Sequence, residues 1–378
     1  MTKRSEGPKP VGDTLTKALE RLENTIRENN RKLVEANAQP GEIPDQVRAR
    51  LLVEERQKAR VAAKKAKPPK GLQREIFSGP LTKKDKGLLK LRAELDEKPG
   101  TIEDASYFHI AMCQVALPRS LKAVKGLDVF ERTSGTSSIR VEAGAIWNGQ
   151  EWVKQPIPYG GNPRLILAYL NTFAVRERTK VIPLGDSWRD LLAMLGKSST
   201  GGRNGSLTRF KADIQALAAC KMLLGYVRNG NAITYDGKPV KEFQAWIGKH
   251  VEGQRGLWPA TLTFSDDYYN ALTDGRMAVP VDMRAMIALS GSALAMDIYL
   301  MLAERLHRMS GRGLPLYWHQ LRQQFGQEYS GKYAEKTFKN NFIAAFRQVQ
   351  IAYPQCKAKL VEGGLLLLPS PPPIAPKV

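Results

Sequence analysis

The side chains best suited to a chemical role lie along Lys332–Gln350, where cations recur at helical spacing. They gather on one stripe of a predicted helix, while Phe338, Phe342 and Val349 fall on another. Cations and amides at such spacing bind phosphates and base edges of DNA. The predicted DNA-binding residues of this segment are Lys332, Lys336, Lys339, Asn340 and Arg347. A solvated face of an ordinary amphipathic helix would give the same pattern.

Side chains that serve catalysis lack the spacing that catalysis requires. A nicking enzyme needs a His-hydrophobe-His metal pair and a nucleophilic tyrosine, and the four histidines include no such pair. Tyr268-Tyr269 is therefore predicted to pack. Gly196-Lys197-Ser198 ends like a P-loop, but Leu191 stands where the first glycine belongs. Asp266-Asp267 is predicted to begin a helix. We expect a binding protein, not an enzyme, with no cofactor and no metal site.

The elements around the cationic helix follow a recognisable order. A strand at Leu314–Tyr317 and a short helix at Trp318–Phe325 precede it, and an apolar hairpin over Cys356–Leu368 follows it. Strand, short helix, turn, long helix and hairpin form the pattern of a winged helix-turn-helix, whose long helix enters a DNA groove. Lys357 and Lys359 lie in the hairpin, or wing, and are further predicted contacts.

The same order occurs earlier in the chain. Its predicted parts are a strand (Val181–Leu184), a helix (Trp188–Leu195), a long helix (Ser206–Met222) and a wing (Leu223–Arg228 with Ala232–Tyr235). Leu184 and Leu316 are 132 residues apart, and Gly196 and Gly326 are 130 apart, which favours a tandem duplication. The predicted DNA contacts of this first copy are Arg203, Arg209 and Lys211.

Composition supports a polyanionic partner. The chain has 378 residues with 58 Lys and Arg against 37 Asp and Glu, a formal net charge of +21. Such an excess is typical of nucleic-acid-binding proteins. Apolar runs such as Ala293–Ala303 are too short to span a membrane. Three separated cysteines and a polar, basic start without an apolar signal segment predict a cytoplasmic protein.

The remaining chain divides by composition. We expect a basic, partly helical or disordered arm over residues 1–100, and a Pro-rich tail over 371–378. Between them, the fold class is predicted as α+β, with winged-helix domains at 101–274 and 275–370. Phe108–Ala116 and Val129–Glu131 are predicted strands, Ser138–Glu142 with Ala145–Val153 a hairpin turned at Asn148-Gly149, and Arg164–Arg178 and Ala285–Met309 helices.

With the two copies aligned, the chain resembles plasmid replication initiators of the RepA/TrfA type, the plasmid-encoded RepA family. The similar stretches are IPLGDSWRDLLAMLGKSSTGG and LTRFKADIQALAACKM (within Ile182–Met222), ALSGSALAMDIYLMLAERLHR (Ala288–Arg308) and LPLYWHQLRQQFG (Leu314–Gly326). The resemblance covers roughly residues 160–368 and depends on pattern and short segments. The basic arm has no counterpart in it.

The resemblance implies a specific function. Members of this family bind direct repeats, called iterons, in a plasmid origin, mainly through the second winged helix. They then promote origin opening and recruit the host replication initiator and the replicative helicase. The resemblance also implies a monomer–dimer equilibrium linked to copy control.

Three other functions are compatible with the sequence. A winged-helix transcriptional regulator would share the DNA-binding unit, but it usually carries one such unit. A replication enzyme, such as a nicking Rep or a primase, would reveal itself by metal-dependent cleavage or primer synthesis. A general RNA-binding protein would show no preference for duplex repeats.

Overall fold

The structure is a computed structural model, and it describes residues 32, 35–36, 47, 83–148, 150–184, 188–197, 200, 205–228, 231–236, 240–243, 261–273 and 277–375. The chain divides into two compact units, Met1–Glu55 and Arg56–Val378. Four residues of the first unit are described, and all four are helical. Most of the predicted basic arm therefore lies outside the described residues.

The described elements of the second unit mix helices with small antiparallel sheets, so the predicted α+β class is confirmed. The helices are α1 (Lys83–Glu97), α2 (Ile110–Gln114), α3 (Leu121–Val124), α4 (Gly161–Glu177), α5 (Trp188–Met194), α6 (Ser206–Ala219), α7 (Asp266–Thr273), α8 (Met283–Leu289), α9 (Ala293–Arg305), α10 (Trp318–Phe325) and α11 (Ala334–Ala352). The strands are β1 (Ala105–His109), β2 (Val129–Ser134), β3 (Ser137–Glu142), β4 (Ala145–Trp147), β5 (Trp152–Lys154), β6 (Val181–Pro183), β7 (Lys221–Arg228), β8 (Asn231–Asp236), β9 (Val240–Phe243), β10 (Thr261–Phe264), β11 (Ala278–Asp282), β12 (Leu314–Tyr317), β13 (Lys359–Val361) and β14 (Gly364–Leu367). None of the described helices is long and apolar enough to cross a bilayer.

Helix α1 falls within the stretch predicted as the basic arm, and it is folded. Leu88, Leu89, Leu91 and Leu95 are 6% exposed or less. Their spacing gives α1 one apolar face, which packs against α8 and α11. The last part of the predicted arm thus contributes to the core of the second unit.

Strands β1 and β11 form a two-stranded antiparallel sheet, with Ala105 opposite Asp282 and His109 opposite Ala278. This sheet joins segments on both sides of the predicted domain boundary at 274/275. The hydroxyl of Tyr299, on α9, accepts a hydrogen bond from the backbone N–H of Asp282 at 2.9 Å. The boundary itself stays a prediction.

The two copies share a sheet order. In the later copy β14 lies between β12 and β13, and in the earlier copy β10 lies between β6 and β9, all antiparallel. In each copy the two helices lie, in chain order, between the first strand and the other two strands of the sheet. At the later hairpin, Gly364 has φ 151°, and a Cβ there would lie 2.1 Å from the carbonyl oxygen of Leu316. Glycine therefore permits the close pairing of β14 with β12.

The predicted hairpin after α6 is present as β7 and β8, but it does not pair with β6. It extends β2 and β3 into a four-stranded sheet of order β2-β3-β7-β8. By sheet order, β9 and β10 are the counterparts of β13 and β14. Assigning β7–β8 as the wing was therefore wrong, since the prediction used sequence adjacency rather than strand pairing.

Two predicted elements end earlier than expected because capping side chains interrupt them. The predicted strand Phe108–Ala116 stops at His109, whose Nδ1 accepts the N–H of Ala111 at 3.2 Å and begins α2. The predicted helix Ala285–Met309 divides into α8 and α9. Ser292 caps α9 by accepting the N–H of Ala295 at 3.2 Å.

Two further corrections follow from strand pairing. The predicted helix Ser206–Met222 ends at Ala219, because Lys221 and Met222 pair with β3. The prediction that Ser138–Glu142 pairs with Ala145–Val153 in a hairpin is wrong. Strand β3 pairs with β2 and β7, while β4 pairs with β5 around a turn at Asn148. The side-chain oxygen of Asn148 accepts the backbone N–H groups of Gln150 and Glu151.

Candidate nucleic-acid interface

Helix α11 is held in place by an aromatic core on one side. Phe338, Phe342 and Phe346 are fully buried. The ring of Phe342 lies 5.8 Å from the rings of both Trp318 and Phe325 on α10. Because these large side chains fix the rotation of α11 about its axis, the opposite side of the helix faces outward.

The outward side of α11 carries most of the predicted contacts. Lys336, Asn340 and Arg347 are exposed, and their spacing of four and seven residues places them on one face. Lys332 is also exposed, but it lies in the turn before α11, with Nζ 5.7 Å from the ring centre of Tyr333. The structure thus brings together three of the five residues predicted in this segment and places Lys332 at the start of their stripe.

Lys339 occupies the edge of this stripe and is partly engaged. Its Nζ lies 2.9 Å from the carboxylate of Glu335 and 5.7 Å from the ring centre of Trp318. The hydrogen bond and charge of Lys339 lower the pKa of Glu335, which is otherwise exposed. To bind a phosphate, Lys339 would therefore have to release the carboxylate of Glu335.

The second hairpin lies beside the same helices. The indole N–H of Trp318 donates to the carbonyl of Glu362 at 3.2 Å, which links the hairpin turn to α10. Lys359 is exposed on β13, and Lys357 is exposed in the segment before it, where its backbone N–H donates to Ser370. Both predicted wing lysines are therefore accessible to solvent.

The predicted contacts of the first copy are less uniform. Arg209 is exposed on α6, whereas Lys211 is half-buried and burial lowers its pKa. Arg203 lies outside the described residues. Asp213, on the same helix, accepts a hydrogen bond from Asn162 at 2.6 Å, and burial raises its pKa to about 6. The described part of α6 thus offers a weaker positive stripe than α11 does.

A cavity of about 430 Å³ opens between α10 and the start of α11. It is lined by Trp318, His319, Arg322, Gln323, Gly326, Gln327, Tyr329 and Glu335. Arg322 is exposed and lines this cavity together with Glu335, the partner of Lys339, yet the sequence prediction omitted it. Its position near the end of the predicted short helix, one turn before Gly326, could have identified it as a further candidate DNA contact.

Residues considered for catalysis are separated or enclosed. His109 is fully buried, and burial lowers its pKa to about 3. The hydroxyl of Tyr268 is buried and donates to Asn171 at 3.1 Å, as expected for a packing residue. Burial raises the pKa of the Cys113 thiol, which disfavours the nucleophilic thiolate. The described residues contain no group of three side chains suited to a metal ion.

Comparison with solved structures finds similar chains, and two of them are structures of RctB. A selenomethionine derivative of its domains 2 and 3 has a TM-score of 0.41 and 16% identity, covering 67% of this chain and 85% of that one. A second structure of domains 2–3 has a TM-score of 0.41 and 13% identity, covering 68% and 94%. A comparison with curated proteins gave no significant match.

The comparison with protein families gives a match, described as plasmid-encoded RepA protein, over residues 157–320. The matched region runs from the segment before α4 into α10. It therefore includes α5 and α6 of the first copy and the strand that opens the second. The resemblance predicted from the sequence is confirmed over these residues, which match the family model of the plasmid-encoded RepA proteins.

Proposed function

We propose that the chain is a plasmid replication initiator that binds iterons in the origin as a sequence-specific double-stranded DNA-binding protein. The observation that carries this proposal is the exposed stripe of Lys336, Asn340 and Arg347 on α11. It occurs in a chain that matches the plasmid-encoded RepA family and has a formal net charge of +21. Cations on one face of a rigid helix suit a DNA groove.

Each copy is proposed to be a winged helix. The shared order of one strand, two helices and two further strands supports this, as does the shared position of the last strand in the middle of each small sheet. In the second copy α10 and α11 would form the helix-turn-helix, and β13 and β14 the wing. In the first, α5 and α6 would form it, with β9 and β10 as the wing.

Recognition divides into two kinds of contact in this proposal. Lys332, Lys336, Lys357 and Lys359 neutralise phosphates, a contribution that all sequences share. Asn340 and Arg347 reach base edges in the major groove, where an asparagine suits adenine and an arginine suits guanine. Arg203, Arg209 and Lys211 assist from the first copy through phosphates.

The later steps of initiation also belong to the proposal. Bound protein would promote origin opening and recruit the host replication initiator and the replicative helicase, without catalysing a covalent step itself. A monomer–dimer equilibrium would set how much protein is competent for initiation. The site of action would be plasmid DNA in the bacterial cytoplasm.

Footprinting of the full chain on the origin region of its own replicon tests this function. At moderate and at raised salt, the expected result is regularly spaced protection without cleavage. Diffuse protection that disappears as salt rises would indicate a non-specific nucleic-acid binder. Strand cleavage in the presence of a divalent metal would indicate a nicking enzyme instead.

A further inference from the structure

A cluster of buried charges joins the turn after α10 to the first half of the chain. The side chain of Glu328, in that turn, is 12% exposed, and one of its oxygens lies 2.7 Å from a guanidinium nitrogen of Arg132 on β2. The side chain of Arg132 is 1% exposed. The backbone N–H of Arg119 donates to the same oxygen at 3.1 Å. Two segments far apart in sequence thus converge on one carboxylate.

Arg119 extends the cluster to the end of α10. Its guanidinium lies 3.7 Å from Glu328 and 3.5 Å from Asp297 on α9, and it donates to the carbonyl of Phe325. Phe325 is the last residue of α10. Arg119 therefore holds both the end of the short helix and the turn that follows.

Asp297 has a second, fully enclosed partner. Its two carboxylate oxygens lie 2.7 and 3.1 Å from Nε and Nη2 of Arg164 on α4. Arg164 also donates to the carbonyls of Leu117, Pro118 and Gly160. This bidentate pair fixes α9 against α4 and closes the cluster at its inner end.

Neighbouring amides reinforce the same junction. The side-chain oxygen of Gln327 accepts from Arg132 at 3.3 Å, and its nitrogen lies 3.4 Å from the carbonyl of Thr133. Gln324 on α10 donates to the carbonyl of Gln114 at 3.0 Å. The turn between α10 and α11 is therefore held by side chains of the first half of the chain and not only by its own helices.

Substitution of Glu328 should disturb this junction, because its carboxylate balances two arginines. Burial alone would raise the pKa of its carboxyl, but Arg119 and Arg132 outweigh burial and lower it. Removal of its charge would leave two enclosed guanidinium groups facing a neutral side chain. The turn would then rearrange to let water reach them.

We propose that Glu328 is a positioning residue for DNA recognition, which fixes the turn before α11 against Arg119 and Arg132 so that α11 meets DNA in one orientation. This inference depends on the proposed function, since it assumes that α11 contacts bases. Glu328 itself faces the interior junction and not the stripe of Lys336, Asn340 and Arg347. Its effect on binding is therefore indirect.

The test compares Glu328→Gln with Glu151→Gln in the full chain. Glu151 is exposed next to the β4–β5 turn, so its substitution changes net charge equally without touching the cluster. Binding is measured to a duplex carrying the origin repeat and to a scrambled duplex, each over a range of salt. Circular dichroism and urea unfolding establish how much of each variant is folded.

For Glu328→Gln we expect affinity for the repeat to fall about tenfold, comparable to one mismatched base pair. Affinity for the scrambled duplex and the salt slope should stay at the wild-type level, because every phosphate-binding cation remains. Unchanged repeat affinity in a folded variant would overturn the proposal. So would an equal loss on both duplexes, which a merely structural role produces.

A gentler variant covers the case in which Glu328→Gln does not fold. Gln327→Ala removes one acceptor of Arg132 and leaves every charge in place, and we expect a smaller loss confined to the repeat. Wild-type affinity of Gln327→Ala for the repeat would then contradict the proposal. If the wild-type chain itself does not distinguish the two duplexes, the proposed function fails, and this inference fails with it.

Discussion

The ammonium group of Lys339 lies 2.9 Å from the carboxylate of Glu335, one turn earlier on α11. This ion pair ties a predicted DNA-contacting cation to an acid on the same helix. An acid at the edge of a DNA-binding stripe both repels phosphates and occupies a cation that could bind one. In the proposed complex with DNA, the pair therefore limits the part of the affinity that does not depend on sequence.

Replacement of Glu335 by glutamine should strengthen binding to every duplex. The substitution removes a charge that repels phosphates and releases Lys339 from a weak, exposed ion pair, so we expect affinity to rise about twofold. If Lys339 then takes a phosphate, the salt slope steepens by about 0.9. Salt titrations of binding to repeat and scrambled duplexes measure both quantities. Unchanged affinity and slope would indicate that Lys339 lies away from DNA.

The pair of Arg164 and Asp297 should dominate stability among the ion pairs of the described residues. Both side chains are 2% exposed or less, so Asp297→Asn leaves a guanidinium enclosed beside a neutral amide. We expect a loss of about 3–5 kcal/mol in the free energy of unfolding, measured with urea. The control is Asp128→Asn, whose pair with Lys154 is about two-thirds exposed. That change should cost about 0–1 kcal/mol. Equal losses of the free energy of unfolding in the two variants would contradict the larger contribution that we expect from the buried pair.

His109 should make the fold sensitive to acid. The imidazole is fully buried and its pKa is lowered to about 3, whereas the unfolded chain binds the proton near pH 6.5. The unfolded state therefore binds more protons between these values, so stability is complete above about pH 6.5 and falls as pH decreases toward 3. Between pH 7.5 and 4.5 this residue should account for a loss of about 2–3 kcal/mol.

The matched variant is His109→Asn, because asparagine also caps a helix but does not titrate. We expect the urea midpoint of the wild type to fall more than that of the variant between pH 7.5 and 4.5. Asp213 acts in the opposite direction, since its pKa is raised to about 6, but it is common to both proteins. Parallel pH profiles of the two proteins would contradict this role of His109.

Local patterns in the sequence predicted the second copy well. Helix α10 has the predicted bounds, and α11 begins two residues after the predicted start because Lys332 and Tyr333 belong to the turn. Strong apolar periodicity and a glycine-rich hairpin make these elements recognisable without tertiary information. The same patterns identified Phe338, Phe342 and Val349 as core residues.

Pairing between strands that are far apart in the sequence could not be predicted from local patterns. Nothing in the spacing of Leu223–Arg228 indicates that it pairs with β3, more than 80 residues earlier, and not with β6. The buried arginines were also missed, because Arg119, Arg132 and Arg164 look like solvated residues until their carboxylates are brought to them by the fold. The net charge of the chain predicts a polyanionic partner, but it does not predict which charged side chains are buried.

The most direct test of DNA recognition by α11 compares two variants that each lose two positive charges. Lys336→Ala with Arg347→Ala removes cations from the α11 stripe, and Lys122→Ala with Lys125→Ala removes exposed cations near α3. Binding to the origin repeat is measured at one salt concentration, with the scrambled duplex as reference. We expect the first variant to lose discrimination between the duplexes, by about 1–3 kcal/mol for the arginine alone, and the second to retain it. Equal discrimination by both variants would contradict recognition of DNA through α11.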